Sequence, residues 1–452
     1  MSAPDEHPFA RLDKAAVGRA VSQIAERPGE LADAYFERLE VIELPPDDGD
    51  GGPGIRVRRE EGLAVRLVRE GRCWLAARDE IAPRAFSEAL RRVARVMPAA
   101  AYPEPRLDVV PDESAAAAPE VLEMPALVQR AVRARRAAFP LRLTVRRHRR
   151  WVQVVRGEPV VPEPETERLY SVTVELPWAG SAGRWGALFP ELGETAAGRL
   201  ADALVDLFRA RQAPPPEPFR GTVVLAPAAA AVLLHEAVAH ALEADVLALG
   251  GDPEAAVGVR LGPEALSVLD DPTTAPEPVR RRSDDEGREV RRRWLLREGM
   301  VGEPLADATW AAGSEVLSDG ACRRGGRHDP PGPRSTHLEL VPGQLAEEEL
   351  LAEADGGLWL GEAGRGALDP RSGTFRLDFP AGRRIRGGAP AEPTGPCRLA
   401  GTVAGLLSAV GGVGRDAVPA GAGWCAKGGQ RMPVWATSPA LRLDGVEVTA
   451  WS

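Results

Sequence analysis

The sequence predicts an α+β protein in two parts, and three observations carry the prediction. Alternating apolar and polar runs separated by turn residues mark strands and hairpins, and amphipathic stretches between them mark helices. The run Pro214-Pro215-Pro216-Glu217-Pro218 cannot sit inside a helix and divides the chain. A mixed α/β N-terminal domain is therefore expected over 1–213. A C-terminal domain over 219–452 is expected to be rich in short strands and to carry a helix with the pattern HExxxH. At 452 residues, two domains are the ordinary expectation.

Taken in order, residues 13–40 show Ala, Val, Ile and Leu at three- and four-residue steps, the mark of an amphipathic helix. After the Pro/Asp/Gly stretch 45–54, Ile55-Arg56-Val57-Arg58 and Leu63-Ala64-Val65-Arg66-Leu67-Val68 alternate as strands do. Glu70-Gly71 is a turn signal, and Cys73-Trp74-Leu75-Ala76-Ala77 is the return strand of a hairpin. Ala82-Pro83 opens a helix running to about Val96, with proline in its first turn. Segment 97–119, rich in Pro and Ala, is expected to be a surface excursion. Helices follow near 121–138 and 194–212, with strands at 141–147, 150–155 and 168–177. Beyond the proline run, Gly221-Thr222-Val223-Val224-Leu225-Ala226 is a short strand leading into the histidine helix. The runs 357–361, 374–379 and 441–448 are strand-like.

Composition narrows the function classes. The chain is 44% hydrophobic and 27% charged, which is globular usage. Its formal charge of −9 gives no global attraction to nucleic acid or to an anionic membrane. No run approaches the roughly 20 apolar residues of a membrane span, and the polar start Met1-Ser2-Ala3-Pro4-Asp5-Glu6-His7 lacks the order of a signal peptide. Cys73, Cys322, Cys397 and Cys425 are scattered without a CxxC pair, which points to a reducing cytoplasm.

Chemistry is concentrated in Leu233-Leu234-His235-Glu236-Ala237-Val238-Ala239-His240-Ala241-Leu242-Glu243-Ala244-Asp245. Two of the six histidines fall here, among alanines and apolar residues, where a polar group needs a partner or a task. Imidazole ligates zinc, and a neighbouring carboxylate can take a proton from zinc-activated water. The spacing is unusual. Histidines five apart on an ideal helix point about 140° away from each other, whereas the four-residue step of HExxH leaves about 40°. One ion can be shared only if a π-bulge widens the turn; otherwise the pair is structural and the helix buries one ring only.

A catalytic zinc takes three protein ligands. Cys425 lies between flexible glycines beside Lys427, a plausible setting for a thiolate, the alternative being an inert buried thiol. Cys73 reads as core, Cys322 sits in the basic loop Cys322-Arg323-Arg324-Gly325-Gly326-Arg327-His328, and Cys397 follows a turn. His337 is a fallback ligand. Glu243 and Asp245 are candidates to orient ligands, or else form the solvated end of the helix. The arginine-rich stretches 280–297 and 323–327 read as solvated or salt-bridged.

These residues resemble a known family. The helix is similar to the HExxxHxxE(G)D signature of the TldD/PmbA peptidases. Cys425-Ala426-Lys427-Gly428-Gly429-Gln430-Arg431-Met432-Pro433-Val434 resembles that family's C-G-K-x-G-Q-x-x-P-V segment, and Ser438 through Val446 its closing strand. Shorter echoes occur at Gly62–Arg66, Trp74–Leu90, Asp284–Gly287 and Pro333–Thr336. Ala239, Ala244 and Ala426 stand where glycines are usual, and His337 where asparagine is usual.

The resemblance implies a zinc peptidase with His235, His240 and Cys425 as ligands and Glu236 as general base. It also implies an α+β N-terminal domain, a C-terminal domain dominated by β-sheet, and small or unfolded peptides as substrates. Members form dimers, homodimers or heterodimers with a paralogous subunit. The competing expectation is a non-catalytic subunit that binds peptides or stabilises a catalytic partner; such a chain has no need of Glu236.

Overall fold

The computed structural model describes residues 6–25, 27, 29–46, 54–94, 105–110, 118–157, 162–176 and 183–451. Its first half is built on α1 (Lys14–Ser22), β1 (Leu31–Leu44), β2 (Arg56–Arg69), β3 (Arg72–Arg78), α2 (Pro83–Val93), α3 (Pro119–Ala134), β4 (Arg142–Arg156), β5 (Glu165–Glu175), β6 (Arg184–Phe189) and α4 (Glu194–Ala210). Among the described residues the strands form one six-stranded antiparallel sheet in the order β3-β2-β1-β4-β5-β6.

The expected helix over 13–40 is a helix only in α1; Leu31–Leu44 is the central strand β1. Its apolar spacing mimics a helix because a central strand is buried on both faces. Ala34, Phe36, Ile42 and Leu44 face the helices, while Asp33, Tyr35 and Glu37 face the other way and are buried too. The period of two is hidden when polar residues are buried against partners instead of facing water. The hairpin at Glu70-Gly71 forms as expected, with both residues at positive φ (52° and 70°). That left-handed pair matches the twist of the flanking strands. The runs 141–147 and 150–155 are one strand, β4, and β6 was not anticipated. The excursion expected over 97–119 lies outside the described residues apart from 105–110 and 118–119, as does 47–53 of the stretch 45–54.

All four helices cover one face of this sheet. Apolar residues of α1 and α2 pack on Phe36, Leu63 and Val65, and those of α3 and α4 pack on Leu143, Val145 and Val172. The opposite face turns towards the second half of the chain.

That half begins with β7 (Phe219–Leu225) and α5 (Pro227–Leu234). Pro227 opens α5, where its missing N–H costs nothing. A nine-stranded mixed sheet includes β7, 358–360, 374–379 and 441–450, and a second sheet of six strands includes 268–270, 293–297, 337–340, 418–427 and 430–438. The α5 helix lies between them. Ala229, Ala230, Ala231, Leu233 and Leu234 are fully buried, in one core with Val223, Leu338, Leu377 and Leu441. The small side chains of the helix let two sheets approach it, and Ala228 and Val232 are left partly open towards the groove. No helix among the described residues is long and apolar enough to cross a membrane.

The halves meet through buried charge. Arg66 of β2 pairs with Asp33 of β1 at 2.5 Å and with Glu286 of the second half at 2.6 Å. Arg324 reaches Asp33 at 3.4 Å and stacks on Tyr35, and Arg150 lies 2.8 Å from Glu37 and 3.7 Å from Asp285. Arg281 pairs with Asp285 and is buried, as are Arg293, Arg323, Arg324 and Arg327, whereas Arg280, Arg282, Arg291, Arg292 and Arg297 are exposed, so the arginine-rich stretches are part salt-bridged and part solvated.

Removing one partner of a buried ion pair strands the other. Arg66→Ala should lower stability by about 3–5 kcal/mol, read as the shift in a chemical-denaturation curve. A loss below about 1 kcal/mol, the level of a surface pair, would show that Asp33 and Glu286 do not depend on it.

Candidate metal centre

Sequence reading treats 233–245 as one helix, but it is three different turns. After α5, residues His235–Ala239 form a π-helical turn, and His240–Leu242 a 3₁₀ turn. The His240 N–H donates to the His235 carbonyl, the i→i+5 bond that the spacing required. The extra residue per turn brings both rings to one side, with centroids 4.4 Å apart. At Glu243 the backbone becomes extended (φ −80°, ψ 131°) and the helix ends.

Cys425 arrives from the other direction, on the edge strand 418–427 of the six-stranded sheet. Ligand atoms of His235, His240 and Cys425 all lie within 4.8 Å of one another, and Cys425 Sγ is 3.3 Å from His240 Nε2. Ligands around one tetrahedral zinc are separated by roughly 3.3–3.8 Å, given bonds of about 2.0–2.3 Å, so the grouping is nearly of that size.

Both ring nitrogens of His235 are buried without a hydrogen-bond partner among the described residues. An unsatisfied buried polar atom costs about 1–3 kcal/mol, and a metal ion would remove that cost at one nitrogen. The donor set, two imidazoles and a thiol, is one that zinc accepts. The residues present therefore fit a metal.

Around them lies a charge relay. His240 Nδ1 is 3.0 Å from Glu243 Oε2, which fixes the ring and aims Nε2 at Cys425. Lys427 Nζ donates to the same Glu243 oxygen at 2.5 Å and to Asp245 Oδ1 at 2.7 Å. Glu243 is fully buried and is not the solvated end of a helix; Asp245 is partly exposed and reaches the relay through Lys427. The lysine beside Cys425 thus points to carboxylates and not to the thiol. Burial alone would raise Glu243, but the His240 ring and the Lys427 ammonium hold it down at about 2. His235, buried and next to His240, is pushed well below the usual histidine range.

Glu236 follows His235 and points into a groove of about 1850 Å³ that also exposes His235 and His240. Burial raises its carboxyl above the ordinary range. Strand 365–369 passes over it so closely that a Cβ on Gly366 would lie 2.5 Å from Glu236 Cγ. Gly366 was not singled out in the sequence, because nothing local marks a glycine that yields space to a distant side chain.

Other candidates fall elsewhere. His337 is buried among Thr274, Thr437 and the Asp271 carbonyl, on strand 337–340. Cys73 is exposed on β3, contrary to the expectation of a core residue, because the edge strand shows that face to solvent. Cys322, expected in a loop, sits buried on a short strand pairing with 332–333, near Glu286 and Asp307. Cys397 is buried in the nine-stranded sheet.

The family profile described as PmbA/TldA metallopeptidase C-terminal domain matches residues 218–450, just over half of the chain and including His235, Glu236, His240 and Cys425. The chain belongs to the TldD/PmbA family of metallopeptidases. Curated relatives include a protein named metalloprotease from Methanothermobacter thermautotrophicus, 32% identical over 60% of this chain and 58% of its own length. Another, from Saccharolobus solfataricus, is named zinc metalloprotease TldD homolog and is 26% identical over 50% of this chain and 51% of its own length. The chain thus matches only about half the length of these relatives. The solved structure of TldE from Thermococcus kodakarensis has the same fold, with a TM-score of 0.69 at 18% identity, covering 96% of this chain and 98% of that one. The α+β architecture with a sheet-rich second half is that of the family.

Proposed function

We propose that this protein is a zinc-dependent peptidase acting on small or unfolded peptides, with His235, His240 and Cys425 as metal ligands and Glu236 as general base. The observation that carries the proposal is the convergence of three ligand atoms from a π turn and a distant strand, with both nitrogens of His235 lacking any other partner. The name of the Saccharolobus relative supports zinc as the metal.

When bound, zinc supplies Lewis acidity for carbonyl and water activation. The chain supplies the rest. Glu236 takes the proton of the attacking water on its carboxylate and returns it to the departing amine. Its raised proton affinity suits a base that must also act as an acid near neutral pH. Glu243 fixes the His240 tautomer, and Lys427 with Asp245 holds Glu243 in place. The outer edge of strand 418–427, which pairs with no further strand among the described residues, borders the groove, and an extended peptide can lie along it as an added strand.

The same reading takes 219–452 as the peptidase domain and 1–213 as the N-terminal domain, within a cytoplasmic dimer of like chains or with a paralogous subunit. It is supported by the first sheet and its helices closing at Ala210 and the second beginning at Phe219. A non-catalytic role is the weaker reading, because Glu236 lines the groove next to a proposed ligand, positioned by a backbone hydrogen bond from Leu368.

Elemental analysis of the zinc-reconstituted protein should give one zinc per chain, reduced in Cys425→Ser; no bound zinc sinks the proposal. Glu236→Gln should keep its metal and lose peptide hydrolysis by roughly 10²–10⁴-fold. If it cleaves at the parent rate, another residue is the base. Gly366→Ala should also keep its metal, and by displacing Glu236 should lower kcat roughly a hundredfold. Unchanged kcat would show that Glu236 need not occupy its present position.

A further inference from the structure

The groove that ends at His235 and Glu236 has a second wall, formed by the helix-free face of the N-terminal sheet. Side chains alternate along a strand, and β4 puts Arg142, Arg146, His148 and Arg150 on this face. The register then builds rows across the sheet. Arg56, Glu43 and Arg146 stand side by side, as do Arg142, Glu175 and Arg184. Each row has one carboxylate between two guanidinium groups. Glu43 is 3.4 Å from Arg56 and 2.6 Å from Arg146, and Glu175 is 2.7 Å from Arg142 and 3.6 Å from Arg184. Each row therefore keeps an excess positive charge.

Closer to the ligands the excess is larger. The His148 ring meets Trp424, the neighbour of Cys425, edge-on at 5.2 Å, and Arg431 stacks on the same indole at 4.9 Å. Among the described residues, no carboxylate lies within ion-pair distance of Arg431, or of Arg365 beside Gly366. Burial, with the guanidinium groups of Arg146, Arg431 and Arg58, pushes His148 down to about 4. The ring is thus neutral at physiological pH and marks a positive field. In a chain of net charge −9 this excess is local: basic side chains outnumber the lining carboxylates Glu43, Glu167, Glu175, Glu236 and Glu362, and a cleft with such an excess focuses its field on what enters.

We infer, resting on the peptidase reading above, that the groove selects peptides carrying acidic side chains beside the bond to be cleaved, held by the arginine wall of the N-terminal sheet. A nucleic-acid strand has the same charge but binds through open aromatic faces on which bases stack. Trp424 is covered by His148 and Arg431, and Trp185 is buried.

The test uses the zinc-reconstituted full chain and three internally quenched, C-terminally amidated peptides that differ only in Glu, Gln or Lys at the flanking positions. A fourth peptide pairs the Gln sequence with a free C-terminal carboxylate. The Glu peptide should exceed the Gln peptide in kcat/KM roughly tenfold at low ionic strength, with the Lys peptide poorest and the differences shrinking in about 0.5 M salt. The double variant Arg58→Gln/Arg431→Gln, both at exposed positions, should bring the Glu-to-Gln ratio towards one. Equal cleavage, a preference for Lys, or a gain only with the free carboxylate overturns the inference and leaves the peptidase reading standing. So does a single-stranded oligonucleotide that binds more tightly than the Glu peptide. If no peptide is cleaved, the peptidase reading fails, and fluorescence anisotropy with the same peptides then decides the charge preference: tighter binding of the Glu peptide supports it, and equal binding refutes it.

Discussion

The hydrogen bond from the His240 N–H to the His235 carbonyl is the constraint on which the rest of the site depends. Without it the two imidazoles diverge around a regular helix and Cys425 has only one of them to meet. With it, both rings share a side, and the backbone is left one residue out of phase. The chain resolves the mismatch at once, through a 3₁₀ turn and then the extended Glu243. That break swings the Glu243 carboxylate back beneath His240. One backbone distortion therefore aligns the two histidines and positions the group that orients the second. A π turn is costly in isolation, and here Ala237, Val238 and Ala239 of the turn are packed into the core between the two sheets.

The placement of the N-terminal sheet follows from a different force. Its helix-free face joins the second half in two ways, through an apolar cluster of Leu169 and Leu188 with Ala275, Val279 and Trp435 and, over another part, through paired charges. Asp33 and Glu37 of β1 face Arg66, Arg150, Arg324 and Arg327. Buried pairs add little net stability, yet a misaligned register strands several charges at once, so the lattice defines one orientation sharply. The remainder of the same face, where arginines outnumber their carboxylates, is left to border the groove. Junction and wall are two stretches of one alternating pattern, separated by whether the second half supplies the matching acids.

This explains what was legible in the sequence. The ligand motifs, the hairpin at Glu70-Gly71 and the helices opened by Pro83 and ended before Pro214 depend on local chemistry, and local chemistry is written locally. The strand β1 was not legible, because its polar residues are neutralised by arginines far along the chain and its alternation reads as a helical stripe. Gly366 and the rows through Glu43 and Glu175 were not legible either. Their meaning lies in register, which pairs residues that the sequence keeps far apart. The thiol, by contrast, could be found in the sequence because a glycine-rich segment isolates it, though the partner of its neighbouring lysine could not.

That lysine bears on how the relay works. The chain uses lysine only at Lys14 and Lys427 and arginine elsewhere, and Lys427 is the one of the two that serves two carboxylates at once. Nζ lies within 2.7 Å of both Glu243 and Asp245, which approach from different directions. A guanidinium is a planar fork suited to one carboxylate held side-on, whereas an ammonium is a compact point with three donors that radiate from it. Glu243 Oε2 takes both Lys427 Nζ and His240 Nδ1, while Oε1 is buried without a hydrogen-bond partner among the described residues. An ammonium shares Oε2 with the imidazole and reaches Asp245 as well. A point charge leaves the imidazole contact in place and still balances the buried carboxylate, so lysine suits the geometry of the relay.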